Sequence, residues 1–178
     1  MCPDKEKCLE TYADADFSGN WSRENADKDS MTVKSRTGVL ITFANCPVLW
    51  VSNLQTIISL SATDAEYVAL SQSLRETITI IELLKELNIL EYSTYSSTPT
   101  VYYKAFEDNS GALELANTPK MHPRTKHINL AYHHLRDYVR RREIIIHPIG
   151  TSEQLADIFT KPILQNPFYK FRKAIMGW

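Results

Sequence analysis

Apolar and polar positions alternate through residues 9–17, LETYADADF, and the alternation runs out at Ser18 and Gly19, so this segment predicts a strand ending in a turn. Asp14 and Asp16, two positions apart, fall on one side of that strand. Residues 21–35 are polar and charged without periodicity and predict an exposed loop. TGVLITFA (37–44) and PVLWVSN (47–53) predict two further strands joined by a turn at Asn45 to Pro47. Three strands in succession suggest an antiparallel meander.

The period then changes. Ser61 followed by Asp64 has the form of a capping box, and apolar residues at Ala65, Val68, Ala69, Ile80, Ile81, Leu84 and Leu87 predict a long helix. A Tyr/Ser/Thr stretch from Glu91 to Thr98 breaks the pattern. TVYYKAFED then predicts a strand ending at Asp108, and SGALELAN a short helix. Pro119 and Pro123 bracket a turn, His127 to Arg142 has helical periodicity, and EIIIHPI (143–149) reads as a β-branched strand. Thr151 and Gln154 are placed to cap a last helix carrying Leu155, Ala156, Ile158 and Phe159. A meander followed by alternating helix and strand predicts an α/β fold, a mixed sheet with helices on its faces. Tyr102, Tyr103 and Trp50 are expected in the core and Glu107 at the surface.

Composition narrows the classes. The 178 residues suit one domain, and 20 basic against 21 acidic residues announce no nucleic-acid partner globally. Cys2, Cys8 and Cys46 lack the spacing of a zinc site or a disulfide scaffold. No apolar run approaches the roughly 20 residues that cross a bilayer, and MCPDKEK is too charged for a signal-peptide core. An intracellular protein with no membrane partner is expected.

Four acidic residues stand at element ends, where an open α/β sheet places functional groups: Asp14, Glu66, Asp108 and Asp157. Carboxylates that converge repel one another unless a cation lies between them, and hard oxygen ligands suit Mg²⁺ or Mn²⁺ better than zinc. A single aspartate at a strand end is more often a turn residue, and Asp16 reads that way.

The strings YADADFSG, SRTGVLITF, WVSNLQTIISLSATDAEYVALS, EDNSGALELAN, HPRTKHINLAYHHLRD and QLADIFTKPI together resemble, in order, the ribonuclease H domain of Ty1/copia-type retrotransposon Pol polyproteins, from about Tyr12 to Phe168. The resemblance implies a five-stranded mixed sheet with flanking helices. It also implies a nuclease that cuts the RNA strand of RNA/DNA hybrids using two Mg²⁺ or Mn²⁺ ions. Carried over by position, Asp14 and Asp108 would be shared by both ions, with Glu66 completing one site and Asp157 the other. Asn53 stands where the family usually has a lysine, and ATDAEY (62–67) where it has STEAEY. Gly150 to Ser152 holds no counterpart of the histidine that cellular relatives carry before their last helix.

Gln55, Asn109 and Ser110 are candidates for polar contacts to the hybrid. The stretch from Lys120 to His147 supplies local positive charge, with Arg124, Lys126, Arg140 and Arg141 as candidate phosphate contacts. Solvation at a helix end explains the Arg140 to Arg142 run equally well, and His127 reads as structural. On this reading residues 1–8 are a remnant of a preceding connecting region, 9–164 the ribonuclease H domain and 165–178 an amphipathic C-terminal tail. The implied partners are the hybrid and the reverse transcriptase polymerase domain of the same polyprotein; the implied location is the cytoplasm, in a virus-like particle, or the nucleus. The chain carries no YVDD-like polymerase turn. Two rivals stand beside this reading: an integrase core using Asp14, Asp108 and Glu143, and an inactive binding or dimerisation module of a decayed element.

Overall fold

The computed structural model describes residues 9–24, 28–87, 103–117 and 137–178. Residues 1–8, expected to be a remnant of a connecting region, the expected break at 91–98, Tyr102, the expected turn at Pro119 to Pro123, most of the expected 127–142 helix and the candidates Arg124 and Lys126 lie outside the described residues.

The three expected strands are β1 (Leu9–Asp16), β2 (Arg36–Phe43) and β3 (Cys46–Leu54), paired antiparallel. The connection between β2 and β3 is tighter than the sequence suggested. Phe43 pairs directly with Cys46, leaving a two-residue turn in which Ala44 and Asn45 both take positive φ, the backbone that matches the twist of a hairpin. On the other side of β1 lie β4 (Tyr103–Glu107) and β5 (Ile144–Pro148), both parallel to it in direction, which gives the sheet order β3-β2-β1-β4-β5. The sheet is mixed, as expected.

Helix α1 (Ala62–Glu86) covers one face. Ser61 caps it, its hydroxyl accepting from the Asp64 amide at 3.1 Å. Val68, Leu74, Ile78 and Ile81 of α1 pack with Leu9, Ala13, Val39, Ile41, Ala105, Ile144 and Ile146 of four strands into one apolar core, which α2 (Ser110–Asn117) extends through Ala112 and Ala116. Inside it the Thr11 and Thr77 hydroxyls bond at 2.7 Å, so the polar pair crossing from β1 to α1 satisfies itself. Tyr103 is buried as expected, whereas Trp50 is 62% exposed: β3 is an edge strand with one face open.

The end of the chain differs from the sequence reading. In place of an α-helix after Thr151 there are two 3-10 turns, Thr151–Glu153 and Leu155–Phe159. The reason is Gln154. Its buried side chain donates to the Ala13 carbonyl at 2.8 Å and accepts from the Ala156 amide at 3.4 Å, pinning the chain to β1 where an α-helix would continue past it. Residues 165–176 form a final helix, α3 (Gln165–Met176), whose buried Phe171 and Ile175 pack onto this region; Gly177 ends it with φ 83°.

Candidate metal centre

The parallel pairing places the site. Tyr12 stands beside Phe106 in the β1–β4 ladder, so two residues further along each strand Asp14 and Asp108 reach the same level at the carboxyl end of the sheet. Glu66 comes from α1, as the fifth residue of that helix, over the same end. One carboxylate oxygen from each of Asp14, Glu66 and Asp108 lies within 4.8 Å of the others. Asp14 and Glu66 are buried and Asp108 half-buried, which leaves the cluster open on the Asp108 side.

The donors are oxygen only, and the Glu66 Oε2 atom is buried without a hydrogen-bond partner among the described residues. A buried carboxylate with an unpartnered oxygen, beside two other acids, is what a hard divalent cation satisfies. The residues present therefore fit Mg²⁺ or Mn²⁺.

Asp157 is brought near but arrives differently. Its 3-10 turn is held to the site by the Thr160 hydroxyl, which donates to Asp14 Oδ2, and by Lys161, whose ammonium lies 3.1 Å from Asp157 Oδ1 and 3.7 Å from Asp14 Oδ2. Asp157 thus shares a cation with Asp14, and that cation belongs to the chain. On the far side, Thr151 Oγ1 donates to Asp108 Oδ2 at 2.8 Å and fixes that carboxylate from the loop after β5.

Burial sets the electrostatics. It pushes Glu66 up to about 10, with Glu107, Asp14 and Asp108 adding to the shift and a backbone hydrogen bond from Ala15 opposing it. Burial likewise pushes Glu107 up to about 9, against the backbone amides of Asn109 and Asp108. Asp157 rises to about 6 through burial and the Asp14 charge, with Lys161 pulling the other way. Burial alone would lower Lys161, but Asp14 and Asp157 together hold its ammonium above its ordinary value.

Glu107 was expected at the surface and is fully buried, a correction that places an additional acid behind the cluster. Its Oε1 accepts from the Asn109 amide at 3.0 Å, while Oε2 has no hydrogen-bond partner among the described residues. Gln55 is also corrected. It is 1% exposed, its amide nitrogen donating to Thr37 Oγ1 and the Ala65 carbonyl and its oxygen accepting from Ser59, so it fastens α1 to β2 and does not face a ligand. Asn109 uses Oδ1 to accept from the Ala112 amide at the start of α2, and Ser110 beside it is exposed. Asp16 ends β1 opposite Arg36 and is not in the cluster.

Arg140 and Arg141 are exposed and lie just before β5, at the opposite end of the sheet from the carboxylates, with Asp137 and Glu143 as their acidic neighbours at 4.0 and 3.9 Å. Glu143 shares that end and pairs with Lys85 at 3.6 Å, far from Asp14 and Asp108. This removes the integrase arrangement. Thr160 and Lys161 were not singled out from the sequence, although both lie in the QLADIFTKPI string, and Thr151 was read only as a helix cap.

No protein-family model matches the sequence. The chain is 34% identical over 169 residues to the retrovirus-related Pol polyprotein from transposon TNT 1-94 of Nicotiana tabacum, covering 95% of this chain and 11% of that protein. It is 33% identical over 167 residues to the Pol polyprotein from transposon RE1 of Arabidopsis thaliana, covering 94% of this chain and 10% of that one. The chain therefore spans about a tenth of the length of these relatives. Among solved structures it resembles the N-terminal RNase H domain of rv2228c from Mycobacterium tuberculosis, with TM-score 0.54 and 11% identity, over 94% of this chain and 98% of that one. It also resembles LC11-RNase H1, isolated from compost, with TM-score 0.50 and 16% identity, over 86% and 93%. At these identities the likeness is one of fold.

Proposed function

Because this chain is homologous to a segment of Ty1/copia-type retrotransposon Pol polyproteins and has the ribonuclease H fold, we propose that it is a ribonuclease H that cuts the RNA strand of RNA/DNA hybrids during reverse transcription. The observation that carries the reading is the convergence of Asp14, Glu66 and Asp108, with one oxygen of each within 4.8 Å of the others, at the carboxyl end of this sheet.

Two Mg²⁺ or Mn²⁺ ions, when bound, supply an activated water and stabilise the leaving oxygen. Asp14 and Asp108 would be shared by both, with Glu66 completing one site and Asp157 the other. Thr151 keeps the Asp108 carboxylate turned toward the cluster, and Thr160 does the same for Asp14. Asn109 and Ser110, at the open side, are the candidate contacts to RNA 2′-hydroxyls. Arg140 and Arg141 could reach only a phosphate remote from the cut, because β5 separates them from the carboxylates. The polymerase domain of the same polyprotein would be the partner in cis, in a cytoplasmic virus-like particle or the nucleus. Among the described residues no helix is long and apolar enough to cross a membrane.

The test offers labelled RNA/DNA hybrid, duplex RNA and duplex DNA to the protein in Mg²⁺, Mn²⁺ or EDTA, with Asp108→Asn alongside. Cutting of the RNA strand of the hybrid alone, lost in EDTA and in the variant, is the expected result. A folded protein that binds hybrid and never cuts it would overturn the enzymatic reading in favour of an inactive binding module.

A further inference from the structure

The four acids of this site are not equivalent. Three of them, Asp14, Glu66 and Asp108, face one another, while the fourth, Asp157, shares the Lys161 ammonium with Asp14. Lys161 follows Asp157 by one helical turn, and its ammonium lies 3.1 Å from Asp157 Oδ1 and 3.7 Å from Asp14 Oδ2. Its side chain is 37% exposed, so it can leave toward solvent without disturbing the core. The turn that carries it is fixed: the Lys161 amide bonds the Asp157 carbonyl at 3.3 Å, and Thr160 ties the same turn to Asp14.

We propose that Lys161 is a tethered cation standing in the second divalent position, between Asp14 and Asp157, so that the site binds one divalent ion readily and a second only when the ammonium is displaced. This rests on the nuclease reading for its functional meaning, though not for its test. A divalent ion beside Asp157 and the Lys161 ammonium compete for the same two carboxylates, and two cations cannot share them at ion-pair distance without repulsion. The first position meets less of this competition, because Glu66 forms no ion pair with Lys161 and Asp108 acts on the ammonium more weakly than Asp14 and Asp157 do. Lys161 therefore sets the divalent concentration at which the second position fills. In its absence Asp14 and Asp157 would face each other without compensation, so the same ammonium also steadies the ion-free protein.

Mn²⁺ binding to the full chain, counted by the EPR signal of free Mn²⁺ and by calorimetry, tests this directly in the wild type, Lys161→Met and Lys161→Arg. The wild type and Lys161→Arg are expected to show one tighter and one weaker event. In Lys161→Met the weaker event should strengthen by about ten- to a hundredfold while the tighter one holds, the usual size of coupling between neighbouring sites. In EDTA the Met variant should melt below the wild type and regain that difference in Mn²⁺. If Lys161→Met does not fold, Lys161→Gln, whose amide can still reach Asp157, carries the same measurement. A second event that is unchanged or weaker in a folded, uncharged variant overturns the proposal, even if the wild type cuts hybrid. Absence of any Mn²⁺ binding in the wild type would instead overturn the metal-dependent nuclease reading itself.

Discussion

Gly38 faces Asp14 across the β1–β2 ladder, and a Cβ built on Gly38 would stand 2.6 Å from Thr160 Cγ2 and 2.7 Å from the Ala156 carbonyl oxygen. Paired residues of a ladder project to the same face. The missing side chain is thus the space through which the 3-10 turn bearing Asp157 approaches Asp14. Gly38→Ala should push that turn away, destabilising the fold by about 1–3 kcal/mol by overpacking. Hybrid cutting should fall by about a hundredfold through displacement of Asp157 and Thr160. Urea unfolding alongside single-turnover cleavage checks both; an alanine variant with wild-type cleavage would show that the turn does not need this approach.

Glu66 should lower stability at neutral pH when no cation is present. Below its ordinary value of 4.5 both folded and unfolded chains hold the proton, and nothing is lost. As pH climbs toward about 10 only the unfolded chain releases it, so stability falls with pH across this window. Glu66→Gln, a neutral group of the same shape, should therefore raise the Tm in EDTA at pH 8 and change it little at pH 5. Equal shifts at the two pH values would mean that the carboxyl does not carry the penalty.

Cation binding must expel the proton that burial keeps on Glu66, so affinity for Mg²⁺ should increase with pH by about tenfold per unit between pH 6.5 and 8.5, if one proton leaves. Calorimetry in two buffers of different ionisation enthalpy counts that proton. An affinity flat across this range would show Glu66 to be ionised already in the free protein.

Gln55→Leu separates a structural amide from a ligand contact. The substitution strips partners from Thr37, Ser59 and the Ala65 carbonyl, and a buried polar group left without a partner costs about 1–3 kcal/mol. Stability should fall by that order, while the affinity of the folded protein for hybrid stays the same. Loss of affinity without loss of stability would restore Gln55 as a contact residue.

The sheet was readable because β1 alternates and β2 and β4 are short runs rich in β-branched and aromatic residues bounded by turn signals, and Asp14 and Glu66 because a strand end and a capped helix start are local signals. Glu107 was misread although the signal was there. Tyr103, Ala105 and Glu107 are two apart and all buried, so the strand period that hid the tyrosine also hid the acid. The 3-10 turns could not be read in the same way. What replaces the expected helix is a bond from Gln154 to Ala13, and no local pattern near residue 154 reports a carbonyl 141 residues earlier. Lys161 was passed over for the same reason, since its importance lies in a distance to Asp14.

The bond from Thr160 to Asp14 joins residues 146 positions apart. A chain that emerges amino end first can form the β1–β2–β3 meander early, yet Asp14 has no Thr160 or Lys161 beside it until the last segment has been synthesised and has docked. At about 5–20 residues per second, several seconds pass before Asp14 can gain these partners. Completion of the carboxylate site is therefore timed by translation itself, and a product stopped short of Thr160 would keep the early strands while lacking the Asp14 to Asp157 half of the centre.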